Sequence, residues 1–213
     1  MSPRPADPAI RGALLNAAAR ILAAEGPRAL TVRRLAAEVG ASTMAIYSHF
    51  GSMDEIRLAI RGDGFARLTT RTATSLGSDD PVAALAATGI VYLDSALGDP
   101  ALYRAMFVDQ PPRETENAGA ELFRQLVSAV QRCVDAERFD RVEAAGLVSG
   151  WAAQLWAMWH GMVTLAITGT QPPHVARFLL DDMTYRLFVG YGDDPAAARL
   201  SISRATAATT TSA

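Results

Sequence analysis

The sequence predicts an all-α fold of about nine helices, and three observations support this prediction. Apolar residues recur at helical spacing in most segments, and no segment alternates as a strand does. Half of the 213 residues are apolar, which is enough to bury one or two helical cores. An acidic residue that can cap a helix stands directly before a proline suited to its first turn at Asp7-Pro8, Asp80-Pro81 and Asp99-Pro100.

Further signals mark the other helix ends. Ser52 with Glu55, and Asp140 with Glu143, fit the capping-box spacing. Glycines that suit helix stops follow at Gly26, Gly98 and Gly169. These marks predict helices over residues 8–25, 31–39, 43–49, 53–75, 81–97, 100–108, 117–137, 141–168 and 173–190.

Two short helices joined by a tight turn are predicted between residues 31 and 50. In the first, one apolar face consists of Val32, Leu35, Ala36 and Val39. Thr31 is a natural N-cap, Gly40 suits a left-handed helix end, and Ser42 can cap the next helix. This arrangement is typical of a helix-turn-helix for duplex DNA.

The second of these helices has a polar and aromatic face. Ile46 and Phe50 anchor it inward. The remaining side chains are free to meet a DNA groove, and they are Thr43, Met44, Ala45, Tyr47, Ser48 and His49. An ordinary helical hairpin would show a similar apolar pattern, so the hairpin alone leaves both interpretations open.

A longer string decides between them. Leu30-Thr31-x-Arg33-x-Leu35-Ala36-x-x-x-Gly40-x-Ser42-x-x-x-Ile46-Tyr47-x-His49-Phe50 resembles the N-terminal motif of the TetR family of bacterial transcriptional repressors. The resemblance implies that the first three helices bind DNA, and that the remainder binds a small ligand and dimerises. The family usually has a phosphate-contacting lysine shortly after the motif, where this chain has Met53. The helix beginning near Ser52 can still offer backbone donors to phosphate.

The resemblance also divides the DNA-binding residues by role, as side-chain chemistry permits. Residues expected to read bases are Arg33, Thr43, Met44 and Ala45. Residues expected to make phosphate or mixed contacts are Thr31, Arg34, Ser42, Tyr47, Ser48 and His49. The expected partner is a double-stranded, near-palindromic operator.

Charge is distributed unevenly along the chain. Up to residue 74 there are ten arginines and six acidic residues, whereas the remainder has ten arginines and sixteen acidic residues. The basic end is therefore the predicted DNA-binding end, although the excess is too modest to give affinity without dimerisation and well-placed contacts. The single cysteine, Cys133, cannot form an intrachain disulfide and is expected to pack between helices.

The expected organisation is a helix-turn-helix domain over residues 1–52, a ligand-binding and dimerisation domain over 53–200, and a disordered tail over 201–213. The most apolar stretch, residues 151–169, is interrupted by Gln154 and His160 and suits the centre of a helical bundle better than a membrane. No signal peptide is recognisable, so a cytoplasmic protein is expected.

Bulky or adaptable side chains on inward faces are candidates for a ligand pocket, although most would also suit an ordinary core. They are Phe65, Tyr92, Tyr103, Met106, Phe107, Phe123, Trp151, Gln154, Leu155 and Met158. Because acidic groups are scarce among them, a neutral or weakly polar hydrophobic effector is expected rather than a strongly cationic one, with Gln154 or His160 as polar contacts. No metal cluster or cofactor is indicated.

The last helices carry more apolar surface than one subunit needs, which predicts a homodimer. Trp159-His160-Gly161 is also similar to the Trp-His-Gly signature of one C-terminal domain type of TetR-like regulators. The expected interface residues are Trp159, Gly161, Val175, Phe178, Leu179, Met183 and Leu187.

Gly62 and Gly64 lie within the helix that follows the helix-turn-helix. They either let that helix bend when ligand binds or permit close packing, and the sequence favours neither.

Three functions follow from these features. The leading one is a ligand-released repressor, and the second is a DNA-binding regulator without a small-molecule effector, constitutive or controlled by a partner. The third, a helical enzyme or carrier, lacks a Ser-His-Asp or Cys-His pattern, a glycine-rich phosphate loop and paired inward acidic residues. We therefore expect no enzyme activity.

Overall fold

The computed structural model describes residues 8–108, 119–141 and 146–211, and these form helices and their connections without a strand. The all-α prediction is confirmed. The helices are α1 Pro8–Glu25, α2 Val32–Val39, α3 Thr43–Phe50, α4 Met53–Ser75, α5 Pro81–Gly98, α6 Pro100–Phe107, α7 Ala120–Asp135, α8 Leu147–Ile167, α9 Pro173–Gly190 and α10 Pro195–Thr211.

The chain divides into two compact units. Unit 1 comprises Met1–Ala66 and Asp99–Ala118, and unit 2 comprises Arg67–Gly98 and Gly119–Ala213. The division therefore falls within α4 rather than at the expected boundary after residue 52, and α6 belongs to unit 1.

The apolar core of unit 1 explains how its short helices are held. Leu14 and Ile21 of α1, Leu35 of α2, Ile46 of α3 and Ile56 of α4 are each at most 1% exposed. Helices of eight residues, such as α2 and α3, are marginal on their own, so this shared core stabilises them.

Unit 2 is built around α5. Nine consecutive residues, from Val82 to Ile90, are buried, and α5 packs against α7, α8, α9 and α10. Among the described residues, α5 is the one helix long and apolar enough to cross a membrane, but 67% of it is buried inside the protein, as in the core helix of a bundle. Cys133 of α7 is also buried, and burial raises the pKa of its thiol to about 12.

The prediction of a disordered tail is wrong for the described residues after 200, because α10 extends to Thr211. Asp194 caps this helix by accepting hydrogen bonds from the backbone N–H groups of Ala196 and Ala197 at 3.0 and 2.9 Å. Ala198, Ser201 and Ile202 are buried, and α10 packs against α5 and α9. Small side chains allow this close packing without a strong apolar periodicity.

The ends of α7 and α8 also differ from the prediction. The helix expected over 141–168 begins at Leu147, and Glu143 of the expected capping box lies outside the described residues. Asp140 does not precede the first turn of α8. Its backbone N–H donates a hydrogen bond to the carbonyl of Tyr191 at 2.8 Å.

Candidate functional site

The turn between α2 and α3 is fixed by three local features that the sequence predicts. The Thr31 hydroxyl accepts a hydrogen bond from the Arg34 N–H at 3.1 Å, and the Ser42 hydroxyl accepts one from the Ala45 N–H at 3.1 Å. Gly40 has φ 66°, a left-handed conformation that L side chains rarely adopt. The two helices therefore meet in a tight helix-turn-helix.

The face of α3 that the sequence assigns to DNA lies at the protein surface. Met44 is 76% exposed and Tyr47 is 47% exposed. Thr43 and Ser48 are also exposed, whereas Ala45 and His49 are half-buried. We call the exposed residues Thr43, Met44, Tyr47 and Ser48 the recognition surface. Ile46 and Phe50 point into the core, as the anchor prediction requires.

Several predicted phosphate contacts also hold the unit together. Thr31 and Ser42 act as helix caps, and the Ser48 hydroxyl donates to the Ala45 carbonyl at 2.7 Å. His49 has its Nδ1 buried without a hydrogen-bond partner among the described residues. The guanidinium of Arg11 lies 4.8 Å from the centre of the Phe50 ring, an attractive cation–π geometry between α1 and α3.

Arg33 and Arg34 are neighbours with different surroundings. Arg33 is exposed and has no carboxylate partner among the described residues. Arg34 forms ion pairs with Glu25 at 2.6 Å and Glu38 at 2.9 Å. Its hydrogen bonds to Glu25 and Glu38 raise the pKa of Arg34, and the bond from Arg34 lowers the pKa of Glu38. Arg34 therefore links α1 to α2 in this structure.

The start of α4 carries Met53 at the position where the resemblance leads us to expect a lysine. Met53 is half-buried and packs against the apolar core of unit 1. The Ser52 hydroxyl accepts a hydrogen bond from the Glu55 N–H at 3.1 Å, which confirms this half of the predicted capping box. A methionine here contributes apolar packing instead of a charge.

The ten predicted ligand-pocket residues do not form one cluster. Four of them lie in unit 1: Phe65 and Tyr103 pack on Phe107 with ring centres 4.9 and 4.7 Å apart, and Met106 lies against Gly64. A Cβ added to Gly64 would stand 2.7 Å from the Met106 sulfur, whereas one on Gly62 would meet nothing within 4 Å. Close packing therefore accounts for Gly64, but not for Gly62.

The other predicted pocket residues lie in unit 2 at separate places. Trp151 stacks on Tyr191 with ring centres 4.7 Å apart, and the Tyr191 hydroxyl donates to the Gln154 side chain at 2.9 Å. Burial raises the pKa of Tyr191. Leu155 and Met158 are core residues, and Phe123 packs on Trp156 at 5.4 Å.

Tyr92 is the one predicted pocket residue that lines an internal cavity of unit 2. The cavity measures about 10 Å³, which is room for about one water molecule. Its lining comes from α5, α7, α8 and the end of α4: Thr72, Leu76, Thr88, Tyr92, Leu122, Gln125, Leu126, Trp156 and Trp159. Of these lining residues, Tyr92 alone was predicted as a pocket residue from the sequence, although the lining residues recur at helical spacings of three or four on each helix.

The predicted dimer residues are mostly at the surface, with one exception. Phe178 is 68% exposed and Met183 is 38% exposed, and Gly161 is also exposed. Val175, Leu179 and Leu187 are half-buried. The expectation that Trp159 faces a partner is wrong, because its indole is 4% exposed and packs over Gly89, where a Cβ would stand 2.8 Å from the ring.

A polar cluster that the sequence analysis did not find ties distant parts of unit 2 together. Arg138 binds the carboxylate of Asp193 through two nitrogens at 2.7 and 2.9 Å and lies 3.3 Å from Asp80. The Ser201 hydroxyl donates to Asp80 at 2.7 Å. Burial alone would raise the pKa of Asp80, but these hydrogen bonds and the nearby Arg138 hold it below its usual value.

An exposed helix presented by a helix-turn-helix, within an all-α chain, is the arrangement found in DNA-binding transcriptional regulators. Two family models match the chain: "Bacterial regulatory proteins, tetR family" over residues 14–60 and "Tetracyclin repressor-like, C-terminal domain" over residues 85–187. The chain therefore belongs to the TetR family of transcriptional regulators.

Individual proteins are similar over most of their length. The uncharacterized HTH-type transcriptional regulator Rv0681 of Mycobacterium tuberculosis is 26% identical over 183 residues, which cover 84% of this chain and 80% of the relative. A solved protein of unknown function from Rhodococcus sp. RHA1 shares the fold with a TM-score of 0.75 at 23% identity, over 90% of this chain and 100% of that one. RolR in complex with resorcinol has a TM-score of 0.64 at 16% identity, over 91% and 93% of the two chains.

Proposed function

We propose that this regulator is a homodimeric repressor, acting in the cytoplasm, that leaves its operator when a small hydrophobic molecule binds in unit 2. The observation that carries the proposal is the recognition surface on α3, held outward by the caps of α2 and α3. Helices presented in this way read the major groove.

Within this proposal, Arg33, Thr43, Met44 and Ala45 read base edges. Tyr47, Ser48 and His49 contact phosphate from the other positions of α3, and Thr31 and Ser42 contribute near the helix starts. Arg34 stays a proposed phosphate contact as well, but its ion pairs with Glu25 and Glu38 give it a second use within unit 1.

The proposed dimer uses α8 and α9. A side chain as apolar as Phe178 that is 68% exposed favours burial against a partner, and Leu165 and Met183 extend the exposed apolar surface on these two helices. Two copies related by a twofold axis would present two recognition surfaces to a near-palindromic operator.

Ligand release is supported by the cavity in unit 2 and by the existence of a ligand complex for the similar protein RolR. Because the cavity holds about one water molecule, an effector would have to favour a more open form of unit 2. The effector shifts the equilibrium only as far as it binds that form more tightly.

The smallness of the cavity also favours a second candidate, a regulator that has no small-molecule effector. Such a protein would be constitutive or would respond to a partner protein.

Salt-dependent binding to the DNA upstream of the protein's own gene, with and without a panel of hydrophobic compounds, separates the candidates. Specific binding that a compound releases supports the repressor. Specific binding that no compound changes favours the second candidate, and no specific binding contradicts both.

Sedimentation of matched variants tests the dimer. Phe178→Glu is expected to give a monomer, whereas Leu200→Glu, on α10 and 52% exposed, is expected to leave the dimer intact. Equal behaviour of the two variants would contradict the proposed interface.

A further inference from the structure

The cavity in unit 2 has an uncharged lining. Aromatic and aliphatic side chains form most of its wall, and the polar groups of the lining residues are the hydroxyls of Thr72, Thr88 and Tyr92, the amide of Gln125 and the indole N–H groups of Trp156 and Trp159. Because no arginine or carboxylate lines the cavity, it offers nothing to balance a charged ligand.

One lining group lacks a hydrogen-bond partner. The indole Nε1 of Trp159 is buried and has no acceptor among the described residues. Buried donors of this kind are rare in native interiors, so an unpaired one beside a cavity indicates that something else supplies the acceptor. The missing side chain at Gly89 leaves the space in which this part of the indole lies.

The hydroxyls of Thr72 and Thr88, which also line the cavity, offer hydrogen-bond acceptors rather than an unpaired donor. Thr72 donates its hydroxyl proton to the carbonyl of Leu68 at 2.9 Å, and Thr88 donates to the carbonyl of Ala84 at 2.9 Å. The Thr88 oxygen also lies 3.1 Å from the Ser75 hydroxyl, which can occupy one of its two lone pairs. Each hydroxyl has one proton, so the remaining lone pairs of both oxygens are acceptors. The wall therefore combines one unpaired donor with two acceptors.

We propose that this cavity binds a small, neutral ring compound that carries a hydroxyl group. The hydroxyl oxygen accepts a hydrogen bond from Trp159 Nε1, its proton is donated to a threonine oxygen, and the ring packs against Tyr92 and Trp156. This proposal rests on the proposed effector response, because it names the chemical class of the effector.

The side chains that must move for binding are also indicated by the structure. Most of the lining is buried, but Leu76, Gln125 and Trp156 are partly exposed. In this proposal, outward movement of these three side chains enlarges the cavity. Binding then selects a form of unit 2 that differs just after α4 and at α7 and α8.

A set of three single-ring probes, of which phenol and toluene are isosteric, tests the class of ligand. Phenol, toluene and benzoate are titrated into the full chain without DNA, with calorimetry and tryptophan fluorescence as readouts. Phenol is expected to bind about tenfold more tightly than toluene, because its hydroxyl adds one net hydrogen bond. Benzoate is expected not to bind, because no lining group balances its charge.

Matched tryptophan variants test the site. Trp159→Phe removes the indole donor and is expected to weaken phenol binding about tenfold while leaving toluene binding unchanged. Trp151→Phe removes an indole from the same helix that stacks on Tyr191 away from the cavity, so it is expected to leave both affinities unchanged. Thr88→Val, which removes an acceptor with little change of shape, provides the same test if Trp159→Phe does not fold.

The proposal is overturned if phenol binds no better than toluene, if benzoate binds as well as phenol, or if both tryptophan variants behave alike. Operator binding is measured separately on the same proteins. If phenol binds but does not release the operator, the proposed effector response is contradicted and the proposed binding site is still supported. If other compounds release the operator but phenol does not bind, the proposed binding site is contradicted and the proposed repressor function is still supported.

Discussion

The polar contacts within unit 1 and those within unit 2 differ in how far apart in sequence their partners lie. In the helix-turn-helix of unit 1, the caps join residues three apart in sequence, Arg34 to Thr31 and Ala45 to Ser42. In unit 2, Arg138 reaches Asp193 across 55 residues, and Ser201 reaches Asp80 across 121. The recognition surface therefore depends on local signals, whereas the body of the protein depends on contacts that form only after the chain has folded.

The largest expected effect breaks the long-range contacts of unit 2. Arg138→Ala would leave the carboxylate of Asp193, whose side chain is 1% exposed, without its partner, and is expected to lower the free energy of unfolding by about 3 kcal/mol. Urea denaturation measures this change. Arg141→Ala in the same loop removes an exposed pair with Glu137 and is expected to cost at most about 1 kcal/mol. Equal losses would contradict the claim that unit 2 depends on the buried Arg138–Asp193 pair more than on an exposed pair.

The next effect concerns DNA affinity and separates two neighbouring arginines of unit 1. Arg33→Gln is expected to weaken operator binding by about 1–3 kcal/mol and to relax sequence preference at one position, because Arg33 is the proposed base contact. Arg34→Gln is expected to weaken binding to all sequences alike and to lower the salt slope by less than about one, because Arg34 is a proposed phosphate contact whose guanidinium is also paired with Glu25 and Glu38. Fluorescence anisotropy over a salt series measures both variants. An unchanged salt slope in Arg34→Gln would remove Arg34 from the proposed phosphate contacts.

A smaller effect distinguishes the two glycines of α4. Gly64→Ala places a methyl group 2.7 Å from the Met106 sulfur and is expected to destabilise the protein by about 1 kcal/mol. Gly62→Ala meets no neighbouring atom and is expected to stabilise it by up to about 1 kcal/mol through helix propensity. Thermal unfolding checks the two signs. If bending at Gly62 is part of ligand response, this variant also responds to effector less readily; unchanged release shows that the response does not need it.

The smallest expected effect is a pH dependence within unit 2. Because the pKa of Asp80 is lower in the folded protein, its contribution to stability is present at neutral pH and is lost as the pH falls through the folded value. Burial raises the pKa of Asp181, so its charged form destabilises the folded state. Its effect on stability therefore changes with pH in the opposite direction to that of Asp80. Asp80→Asn should flatten acid destabilisation, whereas Asp181→Asn should steepen it, as urea midpoints between neutral and acidic pH will show.

Capping residues and glycines predicted most of the helices correctly because each signal acts within one or two turns. Eight helices were predicted with nearly their observed bounds or with small shifts at their ends, and the start of α8 was misplaced. The tenth helix was missed even though Asp194-Pro195 repeats the start signal seen at Asp80 and Asp99. Its buried face is made of small residues, and those gain stability only against a matching surface such as α5.

The sequence by itself determined the all-α class, the helix-turn-helix and the exposed residues Thr43, Met44, Tyr47 and Ser48 of α3, since two inward anchors turn the opposite face of a helix outward. Ala45 and His49 are half-buried instead, because they flank those anchors. Only the tertiary structure decided which aromatic residues meet. Trp159 and Trp151 lie on the same helix, but one lines a cavity and the other stacks on Tyr191. The apolar character of a side chain predicts that it is buried. Which residues it contacts depends on how helices far apart in sequence pack together.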